Sequence, residues 1–481
     1  MALLRMVVGL LILADLAIRA QDLTVFYVAD GVCPVGAMPY SHYTMKHLEL
    51  YRHVDSAWGV ALLFGVAACF ATSLSLGFWS RTSAAFSWYL LASIQNRNIY
   101  LNDGGDLYLR TLVLCMIFMP LGARWSLDAL RNPQWQRLPN RYWSAATLAF
   151  VFQVSLMYFT AALLKSDPVW RETGDALYMA LSIDQFSTGF AQWLLNYPNF
   201  LRPLTFVALA IEFLAPLLLL FPFFNNFTRC VGIALLVAFH LGIASCMHLG
   251  LFMPICIGVL IGLVPTPVLD WVGRRFSRST PARSDDGQSE PPGVPSGYLT
   301  PIPVKLFFAS VVLFLVVQNA ITIPALQINP SDRLKYLVLG YGRSTALMQN
   351  WTLFAPYPFV EDGWFILEAT LRDGRKIDLL NQGAPVSYFK PKLVSAQFRN
   401  QRWRRWYQNM WKRYNPRHVP TFLSWEIRNW NERHPASEHI LEARLIFVEE
   451  LTQLPGLPPK LRTYVLGSFP YVWPEPSATN L

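Results

Sequence analysis

Charge is scarce in this sequence. Only 15% of its 481 residues are Asp, Glu, Lys or Arg, against about a quarter in ordinary soluble domains. A water-soluble enzyme of this length is thereby excluded. Cysteine is sparse too, six in all, with no Cys-x-x-Cys and no metal-ligand spacing. Five of the six lie in apolar runs, where a thiol behaves as a small hydrophobe. None follows Cys256, so the C-terminal third must hold together by packing without disulfides. There is no Gly-rich phosphate loop, no Gly-x-Ser-x-Gly and no His-Glu-x-x-His, which removes the commonest nucleotide-binding, serine-hydrolase and zinc-protease readings. No internal repeat is visible, and that absence ranks a transporter last.

What is abundant is apolar surface. Hydrophobic residues make up 53% of the chain, with 17 Trp and 32 Phe, an aromatic excess suited to membrane–water interfaces. Apolar runs at 3–19, 57–78, 84–99, 107–122, 143–164, 203–224, 229–246, 249–265 and 302–322 are long enough, or nearly so, to span a bilayer. They predict a polytopic α-helical membrane protein of about nine transmembrane helices with a C-terminal periplasmic α+β domain. The N-terminal run resembles a signal peptide, but Asp15 interrupts it and no clean cleavage site follows, so it reads as a retained span.

Arginine and lysine then set the expected orientation. With the N-terminus cytoplasmic, the inner loops carry Arg81, Arg124, Arg131, Arg137, Arg141, Arg229, Arg274, Arg275, Arg278 and Arg283. The outer loops between the spans carry fewer, Lys46, Arg52, Lys165, Arg171 and Arg202, the asymmetry expected of an inner-membrane protein with its C-terminal domain in the periplasm. The net charge of +10 is therefore no argument for nucleic acid, since the basic residues concentrate in loops and in the C-terminal third; the expected partner is the lipid bilayer around the spans.

The expected organisation is a transmembrane domain over 1–265, a Ser/Pro/Gly-rich cytoplasmic linker over 266–301, a last span over 302–322 and the periplasmic domain over 323–481. In that last region, Trp364–Leu371 and Lys376–Leu380 flank Asp373-Gly374, a strong hairpin signal. Ile440–Leu451 alternates as a further strand. Between them, Gln397–Arg433 reads as helix with aromatics interleaved among arginines. Such a face suits either anionic lipid headgroups or the buried and solvated sides of ordinary helices.

Polar residues inside the apolar runs are the functional candidates, because ionisable groups at membrane depth are costly. Lys165, Asp167, Pro168 and Trp170 close one such run. Lys165 is either a base held at the membrane surface or a lysine snorkelling to the interface. Arg97 and Asn98 end another run, and Glu212 and His240 lie inside two more. Glu212 needs a partner or a role. A buried histidine such as His240 is as readily a hydrogen-bonded core residue.

Several stretches, in their order and spacing, resemble the horizontally transferred transmembrane (HTTM) family, bacterial relatives of the vitamin K-dependent γ-glutamyl carboxylase. They are Tyr27–Pro34, Arg97–Arg110, Trp125–Asp128, Leu164–Gly174 and Phe239–Phe252, with Gln349–Pro358 after the last span. The resemblance implies that Lys165, in its Lys-x-Asp-x-x-Trp context, serves as catalytic base toward a reduced quinone of the menaquinone or vitamin K type. It implies CO2 and O2 as co-substrates and a peptide, secreted protein or small molecule as acceptor. His240 would be a second catalytic residue, hydrogen-bonding a quinone oxygen, while Arg97, Asn98 and Trp170 line the cofactor pocket. A lysine can act as base near neutral pH when an apolar wall desolvates it. The carboxylase branch is expected to carry Asn-Asn-His where this chain reads Asn96-Arg97-Asn98, which leaves the substrate open. The competing expectation is a non-enzymatic membrane scaffold or maturation factor that binds a secreted protein through its C-terminal domain.

Overall fold

The computed structural model describes residues 1–35, 46–132, 142–276, 301–412 and 418–470. Most of the expected linker, 277–300, lies outside the described residues. Helices stand at all nine expected places: α1 Ala2–Ala20, α2 Ala57–Leu76, α3 Ser80–Arg97, α4 Gly104–Met116, α5 Ala145–Leu164, α6 Pro198–Leu220, α7 Asn225–Cys246, α8 Phe252–Leu260 and, after a further helix α9 Thr266–Phe276 that occupies the start of the expected flexible linker, α10 Ile302–Thr322. Among the described residues, five (α2, α5, α6, α7 and α10) are long and apolar enough to cross a membrane. The count is six if α8 and α9, bent by 92° at their junction, form one span. The expected nine is thus reduced, and the reason is local. Helix α4, at 13 residues, is about 20 Å long and too short for a hydrocarbon core of about 30 Å. Helix α1 buries Arg5, Asp15 and Arg19, and α3 buries Gln95, Asn96 and Arg97. These side chains are partnered inside the protein, so the segments need not be apolar.

Packing divides the helices by role. Helix α5 is mostly buried and touches α4, α6 and α10, whereas α2, α6 and α7 expose most of their surface. Trp58, Leu62 and Leu76 on α2 face outward, as lipid contact requires. Helix α2 starts at Ser56, whose hydroxyl accepts from Gly59 N, and stops at Gly77 in the left-handed region (φ 70°). A Cβ there would meet Arg5 Nη1 at 2.3 Å, so the turn demands glycine.

After α10 the chain doubles back. Helix α11 (Asp332–Ser344) runs along α10, with Tyr341 Oη 2.7 Å from Ser310 Oγ and its ring 5.1 Å from Phe314. Ser310 lies twelve residues before the end of α10, about 18 Å along its axis. In the stretch that follows, Ala346, Leu347, Gln349 and Trp351 are buried. The segment after residue 323 therefore packs first against the spans and only later enters the sheet.

The C-terminal α+β region carries a five-stranded antiparallel sheet in the order β3-β2-β1-β4-β5: β1 Glu361–Leu371, β2 Lys376–Asp378, β3 Ala384–Pro385, β4 Ile440–Leu451 and β5 Lys460–Phe469. The hairpin turns at Gly374 (φ 86°), as Asp373-Gly374 indicates. Helices α12 (Gln401–Lys412) and α13 (His418–Asn431) cover one face, where Tyr407, Trp411 and Phe422 meet Phe365 and Phe447 or one another. Trp403, Trp406, Tyr407 and Trp411 are all buried. The aromatic face of this stretch is core, and the headgroup-binding reading of it is set aside. Strand β5 and helix α11 were not anticipated.

Candidate functional site

Helix α5 positions the central residue. Its start is fixed by a capping box between Ser144 and Thr147, and Pro168 prevents its continuation past Lys165. Asp167 Oδ1 then caps the one-turn helix Pro168–Arg171 by accepting from Val169 N at 3.0 Å. Arg171 Nε donates to the Lys165 carbonyl at 2.8 Å, closing the helix end and leaving the Lys165 side chain to turn inward. Its Nζ lies 2.6 and 2.8 Å from the two oxygens of Glu212 and 5.2 Å from the centroid of the Trp170 ring. Lys165 is only 4% exposed. The snorkelling alternative does not describe it.

Glu212 is placed by α6. Pro216, four residues on, lacks the N–H that would otherwise bond the Glu212 carbonyl, and the helix carries prolines at 203 and 216. Trp170 is held from the other side, its Nε1 donating to Phe354 O at 3.0 Å. A buried ammonium and carboxylate in such contact have two forms of equal net charge, ionic and neutral, differing by one proton moved across the hydrogen bond.

A second pair lies on the same helix face. Tyr158 precedes Lys165 by seven residues, two turns or about 10 Å, and its hydroxyl is 2.6 Å from His240 Nε2. Among the described residues, His240 Nδ1 is buried without a hydrogen-bond partner, as are Tyr108 Oη, Ser155 Oγ and Thr160 Oγ1. Aromatic rings surround these atoms: Phe252 is 6.3 Å from His240 and Trp351 is 5.8 Å from Tyr108. Below them, Gln349 exchanges hydrogen bonds with Gln153 and accepts from Trp351 Nε1, while its carbonyl accepts from Gln318.

Arg97 and Asn98 lie elsewhere. The Arg97 guanidinium donates to the carbonyls of Cys33 and Tyr27, both at 3.0 Å. Asn98 accepts from Tyr100 N at 3.2 Å and donates to Phe26 O at 3.5 Å. Both clamp the 26–33 loop and have no contact with Lys165 or His240 among the interactions of the described residues. Thus Lys165 and Trp170 come together, His240 shares the α5 face through Tyr158, and Arg97 and Asn98 do not join them.

Sequence reasoning flagged Glu212 but not its partner, and it missed Tyr158, a polar tip inside an apolar run whose seven-residue spacing from Lys165 was the available signal. It also missed a buried ionic network. Arg19 bonds Asp15, Asp106 and Tyr27, while Arg402 of α12 bonds Asp106 and Asp15, each at 2.5 Å. All four charged side chains are buried, so α12 is riveted to α1 and α4. A second junction joins the 181–188 loop to the sheet. Lys390 Nζ lies 2.5 Å from Asp184 and 2.7 Å from Glu450, and Asp362 accepts from Asp184 N. Burial, reinforced by Asp184, pushes the Asp362 carboxyl up to about 7.

Among the described residues no group of three or more His, Cys, Asp or Glu is arranged to hold a metal ion. A cavity of about 1440 Å3 opens before the first turn of α5, at Tyr142 and Trp143. It lies some 30 Å from Lys165 along the 20-residue helix. Neither the curated proteins nor the solved structures give a match. The HTTM domain family profile matches residues 1–266, a range that ends before α10 and leaves Gln349–Pro358 outside. Because the match takes in more than half of the chain, with Lys165, Glu212, Tyr158 and His240 all inside it, the protein belongs to the HTTM domain family.

Proposed function

We propose that the chain is a γ-glutamyl-carboxylase-like membrane enzyme that carries out a quinol-coupled, carboxylation-type modification of a peptide or small molecule. The observation that carries this reading is the buried Lys165–Glu212 pair, set two turns from Tyr158–His240 on one helix face. The residues suit a reduced quinone: His240 Nδ1 and Tyr108 Oη are buried without partners and would hold its ring oxygens, with Phe252 and Trp351 against the ring. When bound, the quinol supplies two hydrogens that leave with one oxygen atom of O2 as water, while the second oxygen atom stays on the quinone and CO2 replaces a proton on the acceptor.

The chain's own residues do the proton work. Lys165, as the neutral amine, takes a proton at Nζ, and Glu212 receives one from the ammonium across 2.6 Å. Uptake of that one proton turns the amine–carboxylate pair, of net charge −1, into one that is neutral overall whichever side chain holds the proton, so the proton is held in the apolar medium without a lone cation, which is costly there. Trp170 stabilises the ammonium with its ring face, and the surrounding aromatic residues exclude water from a reactive anion. Tyr158 holds His240 by its Nε2, which leaves Nδ1 for a quinone oxygen. We place the N-terminal end of the bundle in the cytoplasm of a bacterial cell and the α+β region in the periplasm, on the arginine asymmetry of the loops.

The test is a thermal-shift titration of detergent-purified protein with reduced menaquinone or vitamin K analogues. Binding to the native state raises the melting temperature by mass action. A rise in the wild type, reduced in Lys165→Ala and in His240→Phe, supports the reading. No rise with any quinol overturns it and favours the partner-binding scaffold. Quinol consumption by the double variant Lys165→Met/Glu212→Gln, which leaves no unpaired charge, should be abolished while its fold is retained.

A further inference from the structure

The end of the bundle away from the sheet has features that quinol chemistry does not use. The roughly 1440 Å3 cavity there is lined by the first residues of α1, by Arg124 and Trp125, by Tyr142 and Trp143, by Phe224–Arg229, and by 261–273. Its floor is made where the chain turns by 92° between α8 and α9. Helix α9 therefore runs at nearly a right angle to α8, the geometry of an amphipathic helix lying in a bilayer surface beside a span. Trp125, Trp143, Phe224 and Phe227 are all exposed at the rim, Phe224 by 84%. Two of them have left-handed backbones, Trp125 at φ 48° and Phe224 at φ 50°. For bulky residues that conformation is strained. The strain aims large rings outward, which water would not reward and a lipid layer would.

Charge at the cavity is of one dominant sign. Among the described residues, Arg124 and Arg229 line it against a single acid, Asp270, and Arg229 Nε is buried with no acceptor among them. The volume separates the candidate occupants. A free phosphate or small anion would leave most of it empty, since whole drug-sized ligands fill about 300–1,000 Å3. A phosphate carrying acyl chains would fill it and cover the rings as well.

We propose that this cavity is a binding site for an anionic glycerophospholipid of the surrounding bilayer, with its phosphate on Arg229 and Arg124 and its upper acyl chains under Trp143, Phe224 and Phe227. The site is independent of the Lys165 pair at the far end of α5. It is tested on the full-length chain in detergent by native mass spectrometry with dioleoylphosphatidylglycerol, with diolein (the same chains without phosphate) and with soluble glycerol phosphate. The wild type should retain the phospholipid about ten-fold better than diolein, as a charge-assisted contact implies, and should not retain glycerol phosphate. Arg229→Gln should lose that preference and Arg229→Lys should keep most of it. Trp143→Ala should weaken both lipids alike. Equal retention of phospholipid and diolein by the wild type would reduce the site to an apolar annulus and overturn the proposal. So would an Arg229→Gln variant that keeps the phospholipid preference, or glycerol phosphate bound as well as the lipid.

Discussion

Lys165 and Glu212 show how a membrane interior makes single residues interdependent. Removing one partner strands the other as a buried charge, which costs about 3–5 kcal/mol. Lys165→Ala should therefore lower the melting temperature as well as quinol binding, and the double variant Lys165→Met/Glu212→Gln should recover most of the lost stability. A thermal melt of the three proteins checks this, and an additive double variant would show that the two side chains do not interact. Asp362 offers a pH test outside the membrane. Its carboxyl is held neutral up to about 7 by burial and by Asp184, whereas an unfolded aspartate ionises near pH 4. The native state thus binds the extra proton between those values, and stability falls as pH rises from about 4 to 7. Glu426, also pushed up to about 7 by burial, adds a slope of the same sign. Asp362→Asn keeps an acceptor for Asp184 N. It should melt higher than the wild type at pH 8 and lose that advantage towards pH 4, with Lys390, Asp184 and Glu450 as the charged neighbours. An advantage independent of pH would show that titration is not its cause.

At the scale of elements, the sheet and α12 each depend on one position. Gly363 has φ 145°, and a Cβ there would fall 2.0 Å from Val448 O on the neighbouring strand. Gly363→Ala should cost at least the roughly 1–3 kcal/mol of backbone strain and loosen β1 from β4, read as faster amide exchange in both strands. Unchanged exchange would mean the strands can part locally without cost. Arg402→Met removes the rivet between α12 and the pair Asp15–Asp106. A loss of about 3–5 kcal/mol is expected, with increased exchange across α12, while a neutral result would mean Arg19 alone satisfies both carboxylates.

The whole molecule behaves as a membrane bundle with an attached sheet that is not free to leave it. Residues 325–481 expressed alone would expose Arg402, Arg404 and the rings of Trp403 and Trp406, all buried here against membrane-domain segments or the domain's own core. That fragment should be poorly soluble or loosely packed by amide exchange, and a rigid, soluble fragment would revive the separate partner-binding domain. Orientation is tested with single cysteines at Asp270 and Asp373 in an otherwise cysteine-free chain. An impermeant thiol reagent added to whole cells should label position 373 and spare position 270. The opposite pattern would invert the topology, and labelling of both would break the two-sided arrangement.

Much of this was legible in the chain. Apolar run length located α1 to α8 and α10, because solvation by lipid acts on each segment separately, but not α9 or α11, whose amphipathic sequences form no apolar run. The Asp373-Gly374 hairpin and the strand Ile440–Leu451 were equally readable, since turn chemistry and alternation are local. Lys165 and Trp170 could be singled out by spacing and by family resemblance. What only the tertiary structure decided is which charges meet. Glu212 lies 47 residues from Lys165, His240 lies 82 from Tyr158, and Arg402 lies 387 from Asp15. Local sequence carries no trace of such distant pairing, yet these pairs determine why α1 and α4 tolerate charge and which polar residues share a site. Composition made the chain a membrane protein; burial of matched charges, a property of the assembled bundle, made its interior.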